Sequence, residues 1–437
     1  MSFFNYLGSN FFKQPPLFMG FLAMVGLILL KKDFGTVVKG TAKTIMGTII
    51  LFVGVNFITT AASPLASAFG TLYNLPESST FDVNVCWTVL GEYGSEIGLT
   101  LLIAFVINLL VAKFTPIKNI FLTGHIFFWM SYLAVAAGVQ GGLSGAGLII
   151  FSSISLALYI IISPALMRPL VRKVTGNDSF TIGHTASIFC YIGAGVGKLC
   201  KKANSKSTED VQLPKGLSFF RDTTIASALV LIVTYLVVGL IIGKEAATAT
   251  FGAAMGSIGT IGGMQYDLFT FSVMAGLDFA AGLTILLTGV RMMLGEIIPA
   301  FKGISDKLIP NAIPALDVPM IFSFAPNAML IGFLGSMIAS IVTIIIMAKT
   351  GTMMFAVIPL TVACFFDCAP AAIFANKEGG TLAVVISSII SGVVMVLLAM
   401  VSIGVTLETA AGFNQLYGGN GFSVFSTIAS LVAKLFA

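Results

Sequence analysis

The chain has only two histidines, and each follows a glycine inside apolar sequence: His125 in FLTGHIFFWMSYLA and His184 in SFTIGHTASIFCYIGAG. Two carboxylates keep similar company, Asp317 in IPALDVPMIFSFAPNA and Asp367 in ACFFDCAPAAIFAN. An ionisable group inside hydrocarbon costs about 2.5–3.5 kcal/mol on insertion scales, so such groups usually face an interior pathway. Trp129 lies one helical turn beyond His125 on the same face. That pair reads as a hydrogen-bonding contact to a sugar-like ligand with an indole against its ring. It also reads as an imidazole pinning two helices through a backbone carbonyl. His184 sits among Gly183, Gly193, Gly195 and Gly197 with the hydroxyls of Thr185 and Ser187 beside it. An unwound backbone there would offer N–H, C=O and imidazole together, or would use these side chains to satisfy its own freed groups.

Asp317 is bracketed by Pro314 and Pro319, and Pro326 interrupts the chain again beside Asn327. Prolines so placed forbid one continuous helix. The expectation is a re-entrant element that presents Asp317 and Asn327 to a cavity, the alternative being a solvated aspartate in a cytoplasmic loop. Asp367, just before Pro370 at the end of an expected span, is left open between the two kinds of role. Asn84 and Asp82 in STFDVNVCW are placed at an extracellular mouth, and Gln265, Asp267 and Asp278 at the outer rim. Arg291 ends a span in LLTGVRMM and is expected to snorkel to the cytoplasmic surface.

Other chemistries lack their motifs. Of the five cysteines, Cys86, Cys190, Cys200, Cys364 and Cys368, none forms a CxxC pair or stands at ligand spacing from a histidine. Neither a metal nor a cofactor is expected. No GxxxxGK[ST] loop is present, and no Ser-His-Asp or Cys-His pattern. Nucleic-acid binding is not expected either, because the 23 basic and 18 acidic residues include no long basic run interleaved with aromatics.

The elements that must position these groups are membrane spans. Hydrophobic residues make up 57% of the 437 and charged residues 9%, far from the composition of a soluble globule. Apolar windows recur near 17–30, 44–62, 97–112, 119–140, 145–162, 223–243, 268–290, 329–348, 352–366, 381–407 and 421–436. Crossing a bilayer takes roughly 20 apolar residues, so the reading is an all-α polytopic membrane protein of about ten or eleven transmembrane helices. The stretch 180–197, broken by glycines, reads as a re-entrant segment.

The N-terminal MSFFNYLGSNFFKQPP lacks a charged n-region and a cleavage site, so its apolar stretch is expected to stay as a span. The segment 63–96 carries no Lys or Arg, whereas 31–43 carries Lys31, Lys32, Lys39 and Lys43. The positive-inside rule then places the N-terminus outside and the C-terminus in the cytoplasm. The one markedly polar linker, NSKSTEDVQLPKG at 204–216, divides the chain near its middle. The faint echo between VVKGTAKTI and AFKGISDKLI leaves an inverted repeat open.

In order along the chain, VVKGTAKTIMGTII, FLTGHIFF, SFTIGH, LPKGLSFFRDTTIASALV and TGVRMMLGEIIPAFKGISDKLIPNAIPALDVPMIFSFAPNA resemble the membrane component, enzyme IIC, of the ascorbate family of the bacterial phosphotransferase system. The resemblance covers nearly the whole chain. It implies a homodimeric permease in the bacterial inner membrane, with a substrate-holding core, a dimer-forming domain and the sugar bound between them. It further implies group translocation, with the sugar phosphorylated at the cytoplasmic face by a cysteine-phosphorylated enzyme IIB. IIB and IIA are expected to be separate chains, since 1–437 reads as one permease unit with no fused soluble domain. By motif match the family's pocket residues carry over onto His125, His184 and Asp317. Ascorbate permeases have glutamines after both Gly-His pairs, whereas Phe128, Trp129 and Met130 follow the first pair here and Thr185, Ala186 and Ser187 the second. Exchanging amides for an indole and hydroxyls changes which ligand groups can be satisfied, so ascorbate and a related sugar acid or polyol both remain open. The rival of another class is a proton-coupled symporter in which Asp317 or a histidine carries the proton; its difficulty is the small number of intramembrane acids.

Overall fold

The structure is a computed structural model that describes residues 14–62, 64–65, 68, 89, 91–203, 205–210, 222–255, 266–307, 309–355, 357 and 361–436. Asn84, Asp82, Cys86 and Gln265 lie outside the described residues. The helices are α1 (Pro15–Leu29), α2 (Phe34–Ala62), α3 (Gly94–Phe114), α4 (Gly124–Gln140), α5 (Gly145–Thr175), α6 (Ser187–Cys200), α7 (Thr223–Ile242), α8 (Lys244–Met255), α9 (Leu268–Lys307), α10 (Pro326–Lys349), α11 (Ala369–Val405), α12 (Ala411–Tyr417) and α13 (Gly421–Ala433). Three short strands join them: β1 (Asn119–Phe121), β2 (Thr181–Ile182) and β3 (Ile313–Leu316).

Among the described residues, six helices are long and apolar enough to cross a membrane, and Met19–Leu29, Ser227–Ile242 and Gly421–Ala433 are shorter apolar helices. The solvent they are built for shows on their outer faces. Ile150, Ile154, Leu158, Ile162 and Leu166 of α5 are all 46–60% exposed at a four-residue interval, a greasy stripe along one side of the helix. Such a stripe in water would be an aggregation hazard; against lipid chains it costs nothing.

Three stretches resolve differently from their sequence reading; in the window 352–366, residues 352–355 form no helix. The stretch 119–140 is not one span, because β1 occupies its first three residues and the helix proper begins at Gly124. The glycine-broken stretch becomes β2, a bend and the 14-residue α6. At 1.5 Å per residue α6 is about 21 Å long, short of the ~30 Å hydrocarbon layer.

All three strands run parallel, in the order β1-β3-β2, with Asn119 opposite Ile313 and Thr181 opposite Ala315. A sheet this small leaves edges with unpaired backbone, which an apolar interior penalises heavily. The β1 edge is closed by Asn108 of α3, a fully buried amide that donates to the Asn119 carbonyl at 2.9 Å and accepts from the Phe121 N–H at 3.0 Å. On the other side Thr181 donates its hydroxyl to the Pro164 carbonyl of α5 at 2.9 Å. The return from α5 to β2 is held by Asp178, which accepts from Arg168 Nε at 3.1 Å and Nη2 at 3.0 Å. The hydrogen bond from Arg168 holds the Asp178 carboxyl below its ordinary range.

The helices pack in two groups. In one, α2 and α9 lie against each other along their length, with α1 and α7 beside them. In the other, α10, α11 and α6 pack together, α3 and α5 flank the sheet, and α4 and α13 pack against those helices and each other. Contacts between the groups are sparse, and the cavity described next lies at their junction.

Candidate functional site

Each strand of the sheet delivers one residue to the same place. β1 ends at Phe121 and is followed by Leu122, Thr123, Gly124 and His125. β2 ends at Ile182 and is followed by Gly183 and His184, and β3 ends at Leu316 with Asp317 next. Because the strands are parallel, their C-terminal ends point the same way, and residues 59 to 192 positions apart in sequence meet. Ladder bonds from Leu122 N–H to the Ala315 carbonyl at 3.0 Å and from Gly183 N–H to the Leu316 carbonyl at 2.9 Å carry the alignment up to the functional residues. A Cβ at Gly183 would stand 2.9 Å from the Phe121 ring and 3.1 Å from Ala315 Cβ, so a larger residue there would force that buried ring to shift.

His125 Nε2 lies 3.9 Å from Asp317 Oδ2, and His184 Nε2 lies 3.7 Å from Asp317 Oδ1. Both separations exceed a hydrogen bond. Among the described residues Asp317, only 2% exposed, accepts one hydrogen bond, from the Val318 N–H at 2.8 Å. A buried carboxylate has room for about four donors. Asp317 therefore retains acceptor capacity toward the cavity, and among the described residues His125 Nδ1 has no hydrogen-bond partner. Two imidazoles and a carboxylate with ligand atoms inside 4.8 Å are also a donor set of the size that holds a divalent cation.

A second carboxylate, left open by the sequence, completes the polar wall. Asp367 lies in a single π-helical turn, Cys364–Cys368, immediately before α11. It accepts hydrogen bonds from the Thr185 hydroxyl and from Asn420 Nδ2, the latter at 2.8 Å, and His184 Nδ1 stands 3.5 Å away. His184 is thus set between two carboxylates, while Tyr159 donates its hydroxyl to the His184 carbonyl at 3.2 Å and pins the backbone.

Trp129 lines the same cavity, nearly parallel to Tyr417 with ring centroids 6.4 Å apart and 5.2 Å from Phe413. Leu51 and Ile58 of α2 and Leu286 of α9 line it as well. The cavity combines hydrogen-bonding groups, flat aromatic surface and bare hydrocarbon, the lining that suits a small polyhydroxylated ring.

His125, His184, Asp317, Thr185 and Trp129 are thus brought together in one cavity. Asn327 is not. Its amide donates to the Thr208 carbonyl at 3.0 Å, and its backbone N–H and that of Ala328 reach the Glu209 carboxylate at 3.2 and 2.9 Å. Pro326 starts α10 at this point, so the first-turn N–H groups need an outside acceptor, and the Glu209 side chain supplies it. The Pro-Asn pair marks a helix start outside this cavity. Asn420 and the aromatics Phe413 and Tyr417 were not foreseen. Asn420 had a readable signal, an asparagine opening an apolar run after Gly418 and Gly419, but that signal predicts a helix cap and says nothing of Asp367.

A family model described as the PTS system sugar-specific permease component matches residues 10–424. The "Ascorbate-specific PTS system EIIC component" of Mycoplasma pneumoniae is 28% identical over 426 aligned residues, which cover 85% of this chain and 62% of that protein. The chain therefore spans less than two thirds of the length of that relative. The match to the family model runs through every element that builds the cavity, from α1 to the first turn of α13, and the chain accordingly belongs to the EIIC-GAT family, the sugar-specific permease components of the phosphotransferase system.

Proposed function

We propose that the chain translocates ascorbate or a related sugar acid or polyol across the cytoplasmic membrane, and that a separate IIB protein, supplied by IIA, phosphorylates the sugar on the inner side. The observation that carries this reading is the convergence of His125, His184 and Asp317 at the ends of three parallel strands, with spare hydrogen-bonding capacity, beside the Trp129 ring. His125, His184 and Asp317 would meet ligand hydroxyls, Trp129 would cover a ring face, and Thr185 would support His184. Asn84 is assigned to the extracellular mouth. The permease unit works as a homodimer with its N-terminus outside and C-terminus inside, consistent with Lys31, Lys32, Lys39 and Lys43 on one side and the acidic, Lys- and Arg-free 63–96 on the other.

The test is calorimetric binding of purified protein to ascorbate, pentitols, hexitols and sugar acids, repeated for His125→Ala and His184→Ala with and without a chelator. One class should bind, both variants should lose about tenfold or more in affinity, and the chelator should change nothing. Normal binding by both variants overturns the pocket. A chelator-sensitive affinity would make the two imidazoles and Asp317 a cation site. In vesicles, accumulation of sugar phosphate should require IIA and IIB; uptake of unmodified sugar driven by a proton gradient and abolished by an ionophore would instead identify a symporter.

A further inference from the structure

The two buried carboxylates of the cavity face opposite demands. Asp317 accepts one backbone hydrogen bond and keeps room for a ligand, whereas both oxygens of Asp367 are already engaged. What Asp367 accomplishes is legible from the direction of the hydrogen bonds around it. Asn420 caps α13, and its Oδ1 accepts from the Phe422 N–H at 3.0 Å. That fixes the amide orientation, so the group turned to Asp367 Oδ2 is the Nδ2 donor, at 2.8 Å. Asp367 Oδ1 is the acceptor for the Thr185 hydroxyl, which commits the hydroxyl proton to the carboxylate. The Thr185 oxygen then has only lone pairs left for its other neighbour, His184 Nδ1, at 3.1 Å. For that contact to be a hydrogen bond, Nδ1 must carry a proton.

We propose that Asp367, with Asn420 and Thr185, is a positioning group that locks His184 in the Nδ1–H form, so that Nε2 is the atom presented beside Asp317 to the ligand. The identity of the ligand-facing nitrogen is therefore set from the N-cap of α13 through a chain of directional bonds and not by the cavity itself. The Thr185 backbone carbonyl accepts from the Gly421 N–H at 3.0 Å, which ties the same two elements together a second time. A histidine whose rear nitrogen is fixed by a carboxylate is oriented and restricted to one tautomer. With Nδ1 engaged, Nε2 and Asp317 Oδ1 stand 3.7 Å apart, too far to bond directly, and a ligand hydroxyl between them would meet both. This inference rests on the reading of His184 as a ligand contact, but its spectroscopic test does not.

With only two histidines in the chain, histidine-selective ¹⁵N labelling yields two imidazole spin systems. His125→Gln assigns them. In the full-length protein in nanodiscs without ligand, His184 Nδ1 should carry the protonated-nitrogen shift. Asp367→Asn turns an amide donor toward Thr185, which reverses the chain of bonds: the Thr185 oxygen accepts from the amide, its hydroxyl donates a hydrogen bond to an unprotonated Nδ1, and His184 should switch to the Nε2–H form. Thr185→Ser should keep the wild-type signature and affinity, whereas Thr185→Val should give a mixed tautomer and, like Asp367→Asn, about tenfold weaker binding, the usual loss when a partner behind a histidine is removed. An unprotonated Nδ1 in the wild type overturns the proposal, and so do unchanged ring shifts in Asp367→Asn and Thr185→Val. Should the Asp367 variant fail to fold, the Ser and Val pair decides alone. A tautomer that switches as expected while no sugar binds leaves the positioning role standing and removes the sugar reading; sugar binding with ring shifts that do not respond removes the positioning role only.

Discussion

At the scale of the residue, Trp129 is the clearest difference between this cavity and the glutamine-lined pattern of the ascorbate permeases. An indole offers a broad apolar face and a single donor where an amide offers two donors and an acceptor. Its packing against Phe413 and Tyr417 makes the ring part of a platform. Trp129→Phe should keep most of the affinity and Trp129→Ala should lose about tenfold, as truncation of an aromatic that covers a sugar ring removes on the order of 1 kcal/mol. The chain has only two tryptophans, so a Trp87→Phe background isolates the Trp129 emission, which should shift on saturation with ligand. An unmoved emission together with wild-type affinity of Trp129→Ala would show that the indole only packs. His125, His184, Asp317 and Trp129 were all legible as candidates because polar groups in apolar sequence are expensive. Asn420 was not, because the carboxylate it bonds, Asp367, lies 53 positions away and no local pattern joins them.

At the scale of the element, the three-stranded sheet governs where the histidines fall, and Asn108 holds its edge. The amide pairs with the two backbone groups of β1 that no strand reaches. Asn108→Ala would leave a buried N–H and C=O unsatisfied, at about 1–3 kcal/mol for each. We expect Asn108→Ala to lower the unfolding temperature in detergent by several degrees and to weaken ligand binding through displacement of His125. Wild-type melting and binding in that variant would refute the role. The sheet itself escaped a reading by periodicity. Strands of two to four residues carry too few positions for a period to register, and the apolar sequence around them looks like one more span. Proline and glycine did mark the breaks: Pro314 and Gly183 each lie in or next to a strand.

At the scale of the whole molecule, the cavity is a junction between a polar wall and an apolar one. The apolar wall belongs to α2 and α9, which touch backbone to backbone at paired glycines. A Cβ on Gly54 would stand 2.4 Å from the Leu286 nitrogen, and one on Gly289 would stand 2.4 Å from the Leu51 nitrogen. Both neighbours line the cavity. Gly54→Leu and Gly289→Leu must therefore push the helices apart, at roughly 1–3 kcal/mol each, and should reduce thermal stability and uptake together. Gly295→Ala, with open space around its Cβ position, is the control and should behave as wild type. Equal melting of all three variants would mean that the helix pair is not held by close approach.

What the sequence determined by itself is the membrane class, the main apolar helices, the broken segments and the family. All of these rest on composition, on local punctuation by glycine and proline, or on contiguous motifs. His125, His184 and Asp317 stood out for the same local reason. Tertiary structure alone decided that parallel strand ends bring ligand atoms of those three groups within 4.8 Å of one another, that Asn327 belongs to a helix start held by Glu209, and that Asp367 stands behind His184. The physical reason is that burial cost is a property of one residue and its neighbours in the chain, whereas hydrogen-bond partnership is a property of pairs. The pairs that matter here are 182 positions apart for Thr185 and Asp367 and 118 for Glu209 and Asn327, separations over which sequence pattern carries no geometry.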